Sequence, residues 1–176
     1  MRKSPLRYPG GKSRAVEKIL KLVPDFEEFR EPFVGGASVF FALKQNFPKR
    51  DFWINDLNSD LFLFWKYCRD EPEKLVSEIR KIRKENPDGK KLFKELTESG
   101  KAFDEFGRAC RFFVLNRITF SGTVESGGYS KEAFSKRFTE SSIVRIEKCA
   151  PFLLGAKITN IDYSALLSSP GKNVFL

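Results

Sequence analysis

The constraint that most narrows the fold of this chain lies between residues 29 and 68. A short apolar run from Phe29 to Val34 is broken by Gly35 and Gly36, and an apolar helical stretch follows from Ala37 to Gln45. A second short run, Phe52 to Ile54, ends at Asn55 and Asp56, and the next helical stretch, Ser59 to Cys68, carries LFLFW. Strand, glycine turn, helix, strand, acid, helix is the order expected of a parallel α/β sheet, because parallel neighbours need a crossover and a helix is the usual one. Upstream, Ala15, Val16, Ile19, Leu20 and Val23 fall at i, i+3, i+4 spacing, which predicts a helix over residues 12–23 that Pro24 stops. Downstream the alternation resumes, with a helix from Ile143 to Leu154, a strand from Lys157 to Ile161, a short helix from Tyr163 to Leu167, and a last apolar run from Val174 to Leu176.

The middle of the chain has a different character. Glu73 to Lys94 is rich in Lys and Glu with sparse apolar positions, as expected of solvent-exposed helices. Phe103 to Phe120 carries a strong apolar stripe through Phe106, Ala109, Cys110, Phe113 and Val114, and residues 121–130, SGTVESGGYS, have only loop character. We therefore expect two parts: residues 1–70 and 141–176 forming the sheet domain, and residues 71–140 forming a mostly helical insertion. The 176 residues suffice for one such domain with its insertion.

Charge and residue types exclude several chemistries. Lys and Arg number 32 against 23 Asp and Glu, a net +9, and with 14% aromatics this favours a polyanionic partner such as nucleic acid. Histidine is absent, so neither a Ser-His-Asp nor a Cys-His centre nor a histidine-ligated metal can form within the chain. Cys68, Cys110 and Cys149 lie far apart with no CxxC pair, against a disulfide framework or a thiolate zinc site. No run approaches the roughly 20 apolar residues of a membrane helix, and the basic start lacks an apolar segment behind it, so we expect a cytoplasmic protein with no membrane contact.

Three constellations could carry chemistry. In the first, Phe33, Gly35 and Gly36 sit directly after a strand, where glycine lets backbone pass close to a ligand and the next helix presents its amino end. Asp56 follows Gly36 by twenty residues at the end of the next strand, the place where a nucleoside-binding sheet puts a carboxylate for ribose hydroxyls. A tight turn and a helix-capping aspartate would be spelled the same way. The second is Tyr8-Pro9-Gly10-Gly11-Lys12-Ser13. A P-loop would need glycine where Leu6 stands and a strand before it, so that option fails; what remains is a ring able to stack, a flexible turn and a lysine able to pair with a carboxylate, or a plain surface turn. The third is Arg117 with the loop containing Ser121, Gly122 and Tyr129, in which small residues permit close approach to a phosphate backbone and Arg117 could neutralise it, or which is simply a mobile loop.

Taken in order, these stretches resemble the Dam-like, D12 class of N6-adenine DNA methyltransferases. PLRYPGGKSR at 5–14 resembles that family's first cofactor motif, REPFVGGASVFF at 30–41 its glycine-bearing strand–turn motif, and INDLNSDL at 54–61 its acidic motif. LNRITFSG at 115–122 resembles the segment that enters the DNA-recognition region, and NIDYSALL at 160–167 the later strand-end motif. The resemblance covers essentially the whole chain. It implies an α/β fold, an incomplete Rossmann-like methyltransferase sheet with a mostly helical target-recognition insertion. It also implies S-adenosyl-L-methionine as methyl donor, no metal, and double-stranded DNA as partner. By that resemblance Tyr8 packs on the cofactor, Lys12 holds its carboxylate or the nearby site, Phe33 to Gly36 pass beneath its methionine part, Asp56 takes the ribose, and Asp162 and Tyr163 flank the adenine. Arg117, Ser121, Gly122 and Tyr129 would meet DNA.

The sequence departs from that family in one respect. The family's catalytic [D/N/S]-P-P-[Y/F/W] segment has no counterpart, since no Pro-Pro pair occurs anywhere in the chain. We therefore expect no catalytic residue in this chain, the segment falling just after Leu176 in a truncated or split enzyme. The alternative is a non-catalytic module binding S-adenosylmethionine or DNA, completed by a second chain.

Overall fold

In the computed structural model, which describes residues 3–98, 102–124 and 126–176, four short strands form one all-parallel sheet. They are β1 (Glu28–Glu31), β2 (Asp51–Asn55), β3 (Lys157–Thr159) and β4 (Val174–Phe175), in spatial order β3-β2-β1-β4. Register is set by apolar pairs: Phe29 lies opposite Phe52 on one side and Phe175 on the other, with ring centroids 5.9 and 5.5 Å apart. The expected strand from Phe29 to Val34 stops at Glu31. Pro32 offers no N–H to a ladder, and Val34 N instead donates to Asn55 O in the turn that follows (2.8 Å).

Between β1 and β2 runs α2 (Ser38–Asn46), which buries Phe40, Phe41, Ala42 and Leu43. After β2, Asn58 caps α3 (Ser59–Asp70), its side chain accepting from Asp60 N and Leu61 N at 3.0 Å. The Lys- and Glu-rich stretch forms α4 (Pro72–Glu85) and α5 (Gly89–Thr97). The apolar stripe forms α6 (Glu105–Ile118), which packs on α3 with the Phe64 and Phe113 rings stacked at 5.7 Å. A short α7 (Lys131–Arg137) precedes α8 (Glu140–Leu153), whose amino end closes as a capping box of Thr139 and Ser142. One hydrophobic core runs unbroken from the sheet through α3, α6 and α8.

Two departures from expectation have simple causes. The anticipated helix over 12–23 is a single 3₁₀ turn, Lys12–Arg14, followed by α1 (Val16–Leu20); a segment so short, bounded by Gly11 and Pro24, cannot recover the cost of helix nucleation. Helix α7 goes unanticipated because its only apolar residues, Ala133 and Phe134, are adjacent and show no helical period.

From β3 at one edge the chain passes through α9 (Tyr163–Ser168) and returns to the far edge as β4, beside β1. Arg30 fastens that return. It is 2% exposed, pairs with Glu28 at 2.7 Å, and donates to the carbonyls of Leu166, Ser169 and Pro170 (2.9, 2.7 and 2.7 Å). Strand order reverses between β1 and β4, and in open parallel sheets a crevice opens at the carboxyl ends of strands flanking such a reversal.

Candidate functional site

A cavity of about 530 Å³ occupies that crevice, within the range of small-molecule sites. Its walls are the segment from Tyr8 to Lys12, the carboxyl end of β1 with the turn into α2, and Phe175 and Leu176 at the carboxyl end of β4. The structure thus brings Tyr8, Lys12, Phe33, Gly35 and Gly36 together from two separated motifs.

The turn is held from three directions. Gly35 has φ of +46°, a left-handed conformation that favours glycine. Its N–H donates to Asp56 Oδ2 (3.0 Å), and its carbonyl accepts from Trp65 Nε1 (3.0 Å). The Tyr8 ring lies against its remaining face: a Cβ on Gly35 would come within 2.8 Å of two ring carbons, and one on Gly36 within 3.0 Å of Tyr8 Cβ. The space that glycine leaves here is therefore filled first by the Tyr8 ring.

Asp56 meets the glycine turn directly, yet it is not part of the cavity wall. Its Oδ1 accepts from Asn58 N at 3.1 Å, so among the described residues two of the roughly four acceptor positions of a carboxylate are taken. Asn58, not Asp56, caps the following helix. Lys12 Nζ reaches the Gly10 carbonyl at 3.0 Å.

Glu31 is a site residue that sequence reasoning missed. It lines the cavity at the end of β1, and Phe40 N in the first turn of α2 donates to its Oε2 (3.1 Å). Burial pushes its carboxyl up to about 8; the charge of Asp56 adds to the rise, while the Phe40 amide and Lys12 oppose it. The available signal was an acid immediately before the Pro-Phe-Val-Gly-Gly turn.

Asp162 and Tyr163 lie outside the cavity lining. Asp162 caps α9 by accepting from Ser164 N (2.8 Å) and Oγ (2.5 Å), and those bonds hold its carboxyl below the usual range. Tyr163, 48% exposed, reaches the cavity rim through Phe33, 67% exposed, with ring centroids 5.5 Å apart.

The residues expected to meet DNA fall at the carboxyl end of α6 and beyond, with Glu125 of that loop outside the described residues. Arg117 is no surface cation: it is 3% exposed and its guanidinium packs over the Phe113 ring at 5.4 Å. Its Nε and Nη2, and Nη1 of Arg7, have no hydrogen-bond partner among the described residues. Burial first, then Arg145, Arg7 and Arg137, lower its pKa to about 9. Arg7 and Arg137 line a hollow of about 200 Å³ together with Thr119, Ser121 and Ser130. Ser121 is exposed and Gly122 buried. Tyr129 pairs with Thr119 in an isolated bridge and packs its ring between Phe93 and Phe134, 6.3 and 6.4 Å away, because the loop folds back onto α5 and α7. Phe120 next to this loop is 64% exposed.

A family model described as D12 class N6 adenine-specific DNA methyltransferase matches residues 8–175. The chain is 26% identical over 165 residues to the Type II methyltransferase M.MjaIII of Methanocaldococcus jannaschii, covering 81% of this chain and 57% of that one. It is 31% identical over 122 residues to the Type II methyltransferase M1.LlaDCHI of Lactococcus lactis subsp. cremoris, covering 66% and 41%. Against a DNA adenine methylase of Vibrio cholerae the identity is 28% over 146 residues, covering 77% and 51%. The chain spans about half the length of the curated relatives it matches.

Proposed function

Because this chain belongs to the D12 class of N6 adenine-specific DNA methyltransferases, we propose that it binds S-adenosyl-L-methionine in the switch-point cavity and double-stranded DNA across residues 71–140. One observation carries the cofactor assignment: the Asp56 carboxylate touches the Gly35 amide beside a cavity that holds both Lys12 and Glu31. An amino-acid zwitterion needs a cation for its carboxylate and an acid for its ammonium, and that pair lines one cavity from two of its walls. The residues present therefore fit the group. When bound, the cofactor supplies an electrophilic methyl on a sulfonium. Lys12 and Glu31 hold the amino-acid end, Asp56 offers its carboxylate to the ribose, and Phe33 with Tyr163 provides an aromatic edge for the base.

Asp56→Ala should remove charge-assisted hydrogen bonds worth about 1.5–3 kcal/mol, weakening cofactor binding about ten- to hundredfold. Calorimetric titration of the variant checks this, and an unchanged affinity would dismiss the ribose role.

The DNA assignment draws on the cluster of Arg7, Arg117 and Arg137, which carries guanidinium donors without a protein partner among the described residues. A phosphodiester seated in the hollow that Arg7 and the exposed Arg137 line would offset the charge of this cluster. Holding a buried charge unpaired costs stability, and an apolar replacement of similar shape is often neutral or stabilising. Arg117→Met should therefore raise the melting temperature, whereas Arg137→Met, which removes a cation from the hollow itself, should weaken duplex binding and lower the salt slope by about one. An Arg117→Met variant that lost stability would mark Arg117 as a packing residue, and unchanged duplex binding by Arg137→Met would dismiss the phosphate role of the hollow.

Methyl transfer also requires the target amine to be polarised, and no Pro-Pro pair occurs in these 176 residues to do so. We assign that step to a segment of the Asp–Pro–Pro–aromatic type, on a longer polypeptide or on a second chain. Incubated with labelled S-adenosylmethionine and duplex DNA, this chain should bind without transferring a methyl group. Robust transfer by the chain alone would overturn that division of labour.

A further inference from the structure

Asn116 does more than pack in α6. It is fully buried, and its side-chain amide pairs with the backbone of Arg7 as a second peptide group would, across 109 residues of sequence. Asn116 Oδ1 accepts from Arg7 N (2.9 Å), and Nδ2 donates to Arg7 O (2.6 Å) and to Gly122 O (3.0 Å). One side chain thus grips two segments: the strip leading into Tyr8, and the turn after α6.

The contact is close on both sides. Gly122 has φ of +77°, and a Cβ there would lie 2.6 Å from the Arg7 carbonyl oxygen and 3.0 Å from Asn116 Nδ2. Its neighbour Ser121 also has positive φ, +52°. On the other side, residue 8 follows directly, and its ring is seated on Gly35 and Gly36. A continuous chain of contacts therefore runs from Gly122 through Asn116, Arg7 and Tyr8 to the glycine turn, and on through the Gly35 amide to Asp56. None of Asn116, Gly122 and the Arg7 backbone lines the cavity.

Resting on the cofactor and DNA assignments above, we propose that Asn116 is a positioning residue coupling the two: duplex contact with the 120–122 turn sets the Tyr8 strip, and with it the glycine turn that receives the cofactor. Coupling of this kind is reciprocal, so each ligand tightens the other by the same factor. The amide of Asn116 is required because only it offers an acceptor and two donors in this orientation.

The test compares the full chain with Asn116→Ala and Gly122→Ala, which break the link from opposite ends. S-adenosylhomocysteine is the probe, titrated with no duplex and at duplex saturation established separately for each protein. In the parent chain the duplex should tighten the probe by about fivefold or more, and in either variant by less than about twofold. Amide hydrogen exchange without ligand gives a second measure: the amides of Arg7 and Gly35 should exchange faster in both variants, and those of Phe52 and Trp53 should not. A parent chain that fails to bind the probe overturns the cofactor assignment and this inference with it. A parent chain that binds the probe but shows no duplex effect, or folded variants that keep the full effect or unchanged exchange at Arg7, overturn the coupling alone.

Discussion

Raising the pH from 4.5 to 8 is expected to cost the protein on the order of 4 kcal/mol of stability through one carboxyl group, that of Glu31. In the unfolded chain Glu31 ionises at its ordinary value of 4.5; in the fold, burial holds the proton until about 8. Between those values the native state binds one proton more than the unfolded state, so stability falls as pH rises, and below 4.5 and above about 8 this contribution is flat. Glu31→Gln keeps an acceptor for Phe40 N and abolishes the titration. Urea unfolding of both proteins across this range should show equal stability at the acidic end and a variant progressively more stable towards pH 8. A difference that stays constant with pH would mean that the carboxyl titrates normally. Because Lys12 faces the same cavity and opposes the rise, a bound ammonium group should move the Glu31 value down as well, and the pH dependence of the loaded protein should shrink.

Trp65→Ala should cost about 3–5 kcal/mol of unfolding free energy, the range for removing a large aromatic ring from a core. Trp65 is fully buried, edge-on to Phe41 and Phe64 with centroids 5.7 and 5.0 Å away, so little can collapse into the space it leaves. The substitution also leaves the Gly35 carbonyl without its donor. Trp65→Phe separates the two contributions: most of the ring volume stays, and the unpaired carbonyl alone should cost about 1–3 kcal/mol. Denaturant titration resolves these values. If Trp65→Phe were as damaging as Trp65→Ala, the hydrogen bond and not the packing would dominate; if both were nearly neutral, the ring would not be part of the core.

Elements were legible in the sequence where their signal is local. Apolar runs broken by Gly35-Gly36 and by Asn55-Asp56 marked β1 and β2, and the stripe from Phe106 to Val114 marked α6, because period and turn chemistry are properties of neighbouring residues. The contact of Asp56 with Gly35 could be anticipated for a related reason. Adjacent parallel strands end side by side, so residues at their carboxyl ends must meet whatever the intervening helix contains. Arg117 read as a surface cation because nothing in LNRITF states that the second half of α6, from Phe112 to Ile118, is buried on every side. Arg30 was unmarked for the same cause: the carbonyls that satisfy it come from residues 166–170.

The amino-acid order by itself decided the alternation of elements, the glycine turn with its partner carboxylate, the cationic character, and the family to which the chain belongs. Tertiary structure alone decided that Tyr8 fills the space beside Gly35, that Glu31 holds its proton, that Arg117 is buried with two guanidinium nitrogens unpartnered among the described residues, and that Asn116 joins two ends of the chain. The first group follows from interactions among near neighbours, which repeat wherever the residues do. The second depends on desolvation and on hydrogen bonds across a hundred residues, and these exist only once the chain has closed on itself.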